Sequence, residues 1–246
     1  MNLEALSVLN ATVSERVDLA AGLFILRIVP DEGVADFLPG QSLQLGCITA
    51  DGLLTRPYSI ASSPLERRYV EFYVSSVRGG SLSPYLMRVG VGDRIHVSAQ
   101  ASGTFTLASV PPDAGIILIG SGTGLGPFMS MVRTPFCLEG RPRLCVLHGV
   151  RHRADLGYHD ELVALASRNS HFHYLAAVSR DALDFADPAV QGRRLEDLIA
   201  HSACAPDPAA DHVFLCGNPQ MIDHLAGVLT ERGFRAPHNL SFEKYW

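Results

Sequence analysis

Gly120-Ser121-Gly122-Thr123-Gly124-Leu125-Gly126-Pro127 follows the apolar run Ile116–Ile119 and precedes a helical pattern at Pro127–Val132. A glycine-rich turn between a buried strand and a helix start is the setting in which backbone approaches a dinucleotide pyrophosphate. The spacing is not GxGxxG: glycines fall at alternate positions, and Pro127 is expected to start the helix. The stretch reads as a ligand loop, with a purely structural connection as the alternative.

The pattern around this loop sets the fold class. Downstream, the strand runs Leu144–Leu147, Tyr174–Val178 and Val213–Cys216 are interleaved with helical patterns at Asp160–Ser167, Leu195–Ala200 and Met221–Glu231. Strands alternating with helices predict an α/β domain with a parallel sheet. Upstream of Pro111-Pro112 the pattern differs. Phe24–Val29, Ser42–Leu45, Tyr69–Val77 and Arg94–Val97 are short β-rich runs, and Asp51-Gly52, Gly79-Gly80 and Gly92-Asp93 mark turns. Val70, Phe72 and Val74 alternate with Glu71, Tyr73 and Ser75, which predicts a half-buried strand. Only Ser83–Val89 reads as helical, so a small antiparallel barrel is expected. The boundary falls between Leu107 and Gly115, giving domains at 1–110 and 111–246.

Composition narrows the function classes. With 47% apolar and 18% charged residues, the 246-residue chain is suited to folded domains rather than disorder. A net charge of −5 offers no general attraction to nucleic acid or anionic membrane. Cys47, Cys137, Cys145, Cys204 and Cys216 form no CxxC or CxxxxC pair, so no zinc site, iron–sulfur cluster or disulfide framework is expected, and no metal is called. A reducing, cytoplasmic setting fits. No basic n-region opens the sequence and no apolar run reaches membrane-spanning length, so neither a signal peptide nor a membrane span is expected.

Three further segments carry chemistry. In Arg56-Pro57-Tyr58-Ser59, a strand would put Arg56 and Tyr58 on one face and Ser59 on the other. Arginine grips phosphate, a tyrosine ring covers a flat ligand, and a serine hydroxyl donates to a ring nitrogen. Alone, the tetrapeptide also reads as an edge strand with a surface arginine. Gly79-Gly80-Ser81-Leu82-Ser83-Pro84 reads as a turn into a helix, with Ser83 as N-cap and Pro84 first in the helix. Such a start favours an anion, although an ordinary capped helix reads the same way. Cys216-Gly217-Asn218-Pro219-Gln220 ends a sheet strand, where open α/β folds bind ligands. A lone cysteine there is more often a small buried residue than a reactive one. Arg151, Arg180, Arg193 and Arg194 follow strands or loops on the same side and would suit a 2′-phosphate, with scattered surface arginines as the default.

Taken together, in this order and domain context, the four segments resemble the ferredoxin–NADP+ reductase superfamily over nearly the whole chain, and specifically its bacterial ferredoxin/flavodoxin reductases. His148-Gly149-Val150-Arg151, Ala154–Tyr158 and the ending Glu243-Lys244-Tyr245-Trp246 resemble one bacterial subgroup. The resemblance implies an N-terminal Greek-key FAD barrel, a C-terminal NADP domain and an aromatic tail returning to the flavin. It implies FAD contacts at Arg56, Pro57, Tyr58, Ser59, Tyr73, Ser81, Leu82, Ser83, Thr123, Tyr245 and Trp246. It implies NADP contacts at Gly122, Thr123, Gly124, Arg151, Ser179, Arg180, Arg193, Cys216, Asn218, Pro219 and Gln220. Catalytic roles would fall to Ser59, Cys216 and Trp246. The expected activity is electron transfer between NADPH and ferredoxin or flavodoxin through FAD, by a cytoplasmic monomer. The relatives' basic stretch before the C-terminus is thin here, with only Arg232, Arg235 and Lys244; Arg67-Arg68, Arg78 and Arg88 are the alternative docking charges. Rival readings are a flavin reductase serving an oxygenase, with FMN as its alternative cofactor, and a non-catalytic nucleotide-binding module. Oxygenase reductases often add an iron–sulfur domain and dihydroorotate-type subunits a C-terminal cysteine cluster, and this sequence contains neither.

Overall fold

The computed structural model describes residues 8–77, 79–182, 187–192 and 194–245. They divide into two compact units. One holds the residues up to Thr106 together with Met129–Pro135; the other holds Leu107–Phe128 and the residues from Phe136 onward.

The first unit contains β1 (Ala11–Ala20), β2 (Leu23–Pro30), β3 (Ser42–Thr49), β4 (Gly52–Ser59), β5 (Val70–Ser75), helix α1 (Ser83–Leu86) and β6 (Arg94–Val97). Its strands lie in the order β4-β3-β6-β1-β2-β5, all pairings antiparallel. The sheet curls round until Ile60 bridges Phe72 and the Ala61 N–H donates to the Glu71 carbonyl at 2.8 Å. Phe24, Leu26, Ile28, Leu43, Leu45, Phe72 and Val74 fill the interior. β4 lies at the end of this order, which is where a strand can carry Pro57.

Three expectations for this unit need correction. On β5, Val70, Phe72 and Val74 enter the core, but Glu71 is 0% exposed and Tyr73 4%. The far face is covered because Arg27, directly opposite on β2, donates from Nε to the Glu71 carboxylate at 2.7 Å. Arg133, from the Met129–Pro135 segment, donates to its other oxygen at 2.6 Å. Helix α1 ends at Leu86 rather than Val89, and its cap position is held by Leu82 rather than Ser83. The Ser83 hydroxyl turns back instead and accepts the Val77 N–H at 3.1 Å. Strand β1 was not anticipated, because Glu15, Arg16 and Asp18 interrupt its apolar pattern; those charges are answered by Arg27–Glu15 and Arg16–Asp18 pairs.

The second unit runs β7 (Gly115–Ser121), a 3-10 turn (Gly122–Leu125), α2 (Gly126–Val132), α3 (Pro135–Leu138), β8 (Leu144–Val150), α4 (His159–Arg168), β9 (Phe172–Val178), β10 (Val190–Gly192), α5 (Leu195–His201), β11 (Asp211–Gly217), α6 (Pro219–Glu231) and β12 (Leu240–Lys244). Residues 129–135 of this run belong to the first unit. The order β10-β9-β8-β7-β11-β12 is parallel throughout. β7, β8 and β11 are apolar along most of their length because both their faces are covered. The chain steps from β7 outward through β8, β9 and β10, then returns to the other side of β7 as β11. The order therefore reverses between β7 and β11, and the crevice at their carboxyl ends is where such sheets take ligands. Leu240–Lys244, to which the sequence reading gave no element beyond the aromatic ending from Glu243, is the strand β12 beside β11.

The buried Glu71 carboxylate should dominate the first unit's polar energetics. Glu71→Leu, which takes the buried carboxylate away from Arg133 and leaves Arg27 with the half-exposed Glu15, is expected to cost about 3–5 kcal/mol. Arg67→Ala, which breaks the exposed Arg67–Asp36 pair, is expected to cost under about 1 kcal/mol. Urea unfolding of the three proteins checks this, and equal midpoints for both variants would overturn it.

Candidate functional site

Each unit presents one edge with the right donors for a phosphorylated ligand. In the first unit the edge is the end of β4 with the start of α1. Arg56 is exposed, and its Nη1 donates to the neighbouring Thr55 carbonyl at 2.7 Å. Pro57, also exposed, stands opposite Gln44, and Tyr58 opposite Leu43. The Tyr58 ring is half-buried against the barrel core, and burial pushes its phenol up to about 12. Ser59 precedes the Ile60–Phe72 bridge, so the antiparallel register sets it opposite Tyr73. Ser81 is exposed, whereas Leu82 and Ser83 are buried. Among the described residues no side chain caps α1; Pro84 has no N–H and the Tyr85 N–H donates to the Leu82 carbonyl at 2.9 Å, so the Ser83 N–H is what the first turn offers a ligand. The Arg56 guanidinium, the Ser81 hydroxyl and this N–H fit a diphosphate. The Ser83 hydroxyl, held by Val77, braces the turn.

The second unit's edge is the β7–β11 crevice. Its glycines divide into two kinds. A Cβ on Gly124 would lie 2.2 Å from the Cys216 carbonyl oxygen, and one on Gly217 would lie 2.5 Å from Ser121 Oγ. A Cβ on Gly120 would meet the Gly124 backbone at 3.1 Å. These three glycines let backbone pack on backbone, not on a ligand. Gly122 differs: its φ is +53°, and nothing lies within 4 Å of where its Cβ would be. Helical winding begins here, earlier than the expected start at Pro127, because Gly122 takes the left-handed angle that leaves β7. Pro127, with no N–H, sits inside the first turn of α2, where none is needed.

Ser121 Oγ accepts the Asn218 N–H at 2.9 Å, tying the loop to β11. The Asn218 side-chain oxygen accepts the N–H groups of Gln220 (2.9 Å) and Met221 (3.2 Å) and so caps α6. Its amide NH2 is what it can offer a ligand. Pro219 is half-buried and Gln220 exposed; Thr123 is buried. Cys216 is fully buried. Burial, and then the nearby Glu243 carboxylate, raise its thiol well above the usual cysteine range, although the Tyr245 side chain hydrogen-bonds to it. It is a neutral thiol, not a thiolate nucleophile. The Tyr245 N–H is held by the Gly217 carbonyl at 2.9 Å.

The expected 2′-phosphate residues lie at the ends of β8 and β9. The Arg180 N–H donates to the Arg151 carbonyl at 2.9 Å and the Ser179 N–H to Val150 at 3.1 Å, so the two arginines stand on adjacent strands. Both are exposed, and neither forms an ion pair among the described residues. Arg153 by contrast is paired with Asp187 at 2.5 Å, and Arg194 sits at the exposed start of α5. Arg193 and Trp246 lie outside the described residues.

The charges considered for docking are mostly committed. Arg67 pairs with Asp36 and Arg68 with Glu66; the Arg68 hydrogen bonds hold the Glu66 carboxyl down to about 2. Arg232 and Arg235 donate to backbone carbonyls, and Lys244 pairs with Asp223. Arg88 is exposed, and Arg78 lies outside the described residues. One buried polar side chain beside the loop had no role in the sequence reading: His148 on β8, within hydrogen-bonding distance of Gly122. A single histidine in an apolar strand was the available signal.

Residues 10–106 match the family model described as Oxidoreductase FAD-binding domain, and residues 118–226 match Oxidoreductase NAD-binding domain. Ferredoxin–NADP reductase A of Sorangium cellulosum is 33% identical over 211 residues, which are 80% of this chain and 74% of that protein. The flavodoxin/ferredoxin–NADP reductase of Escherichia coli is 32% identical over 195 residues, 77% of each. The crystal structure of a ferredoxin NADP+ reductase from Neisseria gonorrhoeae with bound FAD and NADP superposes with a TM-score of 0.84. That match covers 96% of this chain and 98% of that chain at 21% identity, a likeness of fold.

The two kinds of glycine should respond differently to a methyl group. Gly124→Ala forces backbone apart and is expected to cost about 4 kcal/mol or more, or to prevent folding. Gly122→Ala has room and meets only the left-handed strain of about 1–2 kcal/mol. Expression level and thermal melting of both variants check this; a Gly124→Ala protein as stable as wild type would contradict the packing described.

Proposed function

This chain belongs to the ferredoxin–NADP reductase family, and from that membership we propose that it carries electrons between NADPH and ferredoxin or flavodoxin through FAD. It is an oxidoreductase with FAD and NADP(H) as its cofactors. The observation that carries the proposal is that similarity to the named reductases runs through both units, so the nucleotide domain and the flavin domain are both accounted for.

FAD, when bound, exchanges an electron pair with nicotinamide and single electrons with a carrier protein. The chain's own residues bind and orient. Arg56, the Ser81 hydroxyl and the backbone N–H groups of Leu82 and Ser83 would hold the FAD diphosphate. Tyr58 would lie along the flavin, with Ser59 donating to it and Tyr73 supporting that stretch from β5; Pro57 keeps the edge strand extended. In the second unit, Gly122 and Thr123 would line the NADP diphosphate path on a loop that Gly124 seats against β11, with Asn218, Pro219 and Gln220 at its nicotinamide end. The neutral Cys216 would offer a small, non-ionised surface there, with the Tyr245 hydroxyl donating to its sulfur. Arg151, Ser179 and Arg180, with Arg193, would recognise the 2′-phosphate. Trp246 completes the aromatic pair proposed to limit nicotinamide access. The domain division at 1–110 and 111–246 belongs to the same reading. No described helix is long and apolar enough to cross a membrane, and a cytoplasmic monomer is proposed.

Two measurements test the reading. Cofactor released by heat should be FAD, and NADPH should reduce a ferredoxin or flavodoxin from the same source in the protein's presence. Release of FMN alone, or turnover with free flavin but with neither carrier, would sink it in favour of an oxygenase-serving reductase. Arg180→Ala removes a charge-assisted contact worth about 1.5–3 kcal/mol, so KM for NADPH is expected to rise about ten- to a hundredfold. KM for NADH should change little; an equal rise for both would remove Arg180 from the 2′-phosphate site.

A further inference from the structure

We propose that His148 is a positioning residue for the bound dinucleotide, acting through the Gly122 carbonyl of the glycine-rich loop. The inference rests on the reading that this loop binds NADP(H).

β8 pairs with β7 on one side and β9 on the other, with His148 opposite Gly120 and Ala176. The residues before it are Leu144, Cys145, Val146 and Leu147, and His148 itself is 0% exposed. Its Nε2 lies 3.0 Å from the Gly122 carbonyl oxygen. A carbonyl offers only lone pairs, so Nε2 must carry the hydrogen. Burial outweighs the Gly122 hydrogen bond and, with a smaller push from His159, holds the ring's pKa down to about 4, so it is neutral and Nδ1 is bare. That Nδ1 is buried with no hydrogen-bond partner among the described residues. An apolar side chain would fill the space without leaving a buried acceptor unsatisfied. What an apolar side chain could not supply is the donor to Gly122.

That donor acts at one particular peptide. Gly122 is the loop glycine with open space beside it and a left-handed φ of +53°. In a trans peptide the carbonyl of one residue and the N–H of the next point in opposite directions. Drawing the Gly122 oxygen inward onto His148 therefore turns the Thr123 N–H away from β8, toward the carboxyl-end crevice. Backbone N–H groups in such a turn are the usual partners of a dinucleotide's phosphates. His148 fixes the orientation of that peptide before a ligand arrives.

The test compares FAD-loaded wild type with His148→Leu, His148→Gln and His148→Asn, using calorimetric titration with NADP+ and with 2′-phospho-AMP. The second ligand has the adenosine and its 2′-phosphate but neither the diphosphate bridge nor the nicotinamide. His148→Leu is expected to bind NADP+ about five- to tenfold more weakly and 2′-phospho-AMP within about twofold of wild type. His148→Gln, whose Nε2 can donate from nearly the same place, should recover NADP+ affinity; His148→Asn, with a shorter reach, should not. Should His148→Leu fail to fold, the Gln and Asn variants decide the matter alone. Unchanged NADP+ affinity in the Leu and Asn variants, or equal losses for both ligands, would overturn the proposal. Wild type that binds neither ligand would overturn the underlying reading, and the proposal with it.

Discussion

The Glu71 carboxylate sits where the first unit closes. β5 meets the end of β4 through the Ile60–Phe72 bridge and the Ala61–Glu71 hydrogen bond. The same residue's side chain draws Arg27 from the adjacent strand and Arg133 from a segment that arrives later in the chain. Arg133 also donates to the Ala61 carbonyl at 3.0 Å, so both polar groups of the Ala61 backbone are fixed. The Ser62 hydroxyl accepts the Glu71 N–H at 3.1 Å, completing the set. A buried charge is tolerable when it is paired and its lone pairs are used. This one directs its pairing to the segment directly after Tyr58-Ser59, so the strand end proposed to meet the flavin starts from a fixed point.

A different constraint governs the second unit. Two parallel strands at a topological switch can hold a ligand between their ends only if the connecting loops do not fill the crevice. Gly124 and Gly217 meet this by removing side chains where loop backbone presses on β11 backbone. The loop is thereby pulled down onto the sheet, and Gly122 is left as its open point. The glycine pattern thus reflects two demands, tight packing at the base and clearance at the turn. Sequence spacing alone does not say which glycine serves which.

What could be read without coordinates was local. The apolar runs of β7, β8, β9 and β11 and the helix of 13 residues at Pro219–Glu231 announce themselves by periodicity and length. So does the glycine turn between a strand and a helix. What could not be read depends on partners far along the chain. Glu71 looks like a solvent-facing residue in an alternating strand until Arg133, 62 residues later, is placed on it. β1 hides behind charges that pair across the sheet. Ser83 has the composition of a helix cap, but Leu82 occupies that position because the serine hydroxyl has a better partner in Val77. β12 is invisible as a strand because a parallel edge strand has no turn signal joining it to its neighbour.

β12 also changes how the C-terminal residues should be understood. Its pairing with β11 runs from Val213–Leu240 through Gly217–Lys244, and the Tyr245 N–H continues the ladder onto Gly217. An aromatic residue at the end of a free tail would lose much conformational entropy each time it docked. Here the backbone is already ordered as far as Tyr245, and its side chain is hydrogen-bonded to Cys216. The access control proposed for Tyr245 therefore does not require folding a loose tail at that residue. For Tyr245 the smaller movement is a side-chain rotation about a fixed backbone, against one hydrogen bond to a weakly accepting sulfur. A neutral, buried Cys216 suits that arrangement, because a thiolate would bind the phenol far more tightly and resist its displacement.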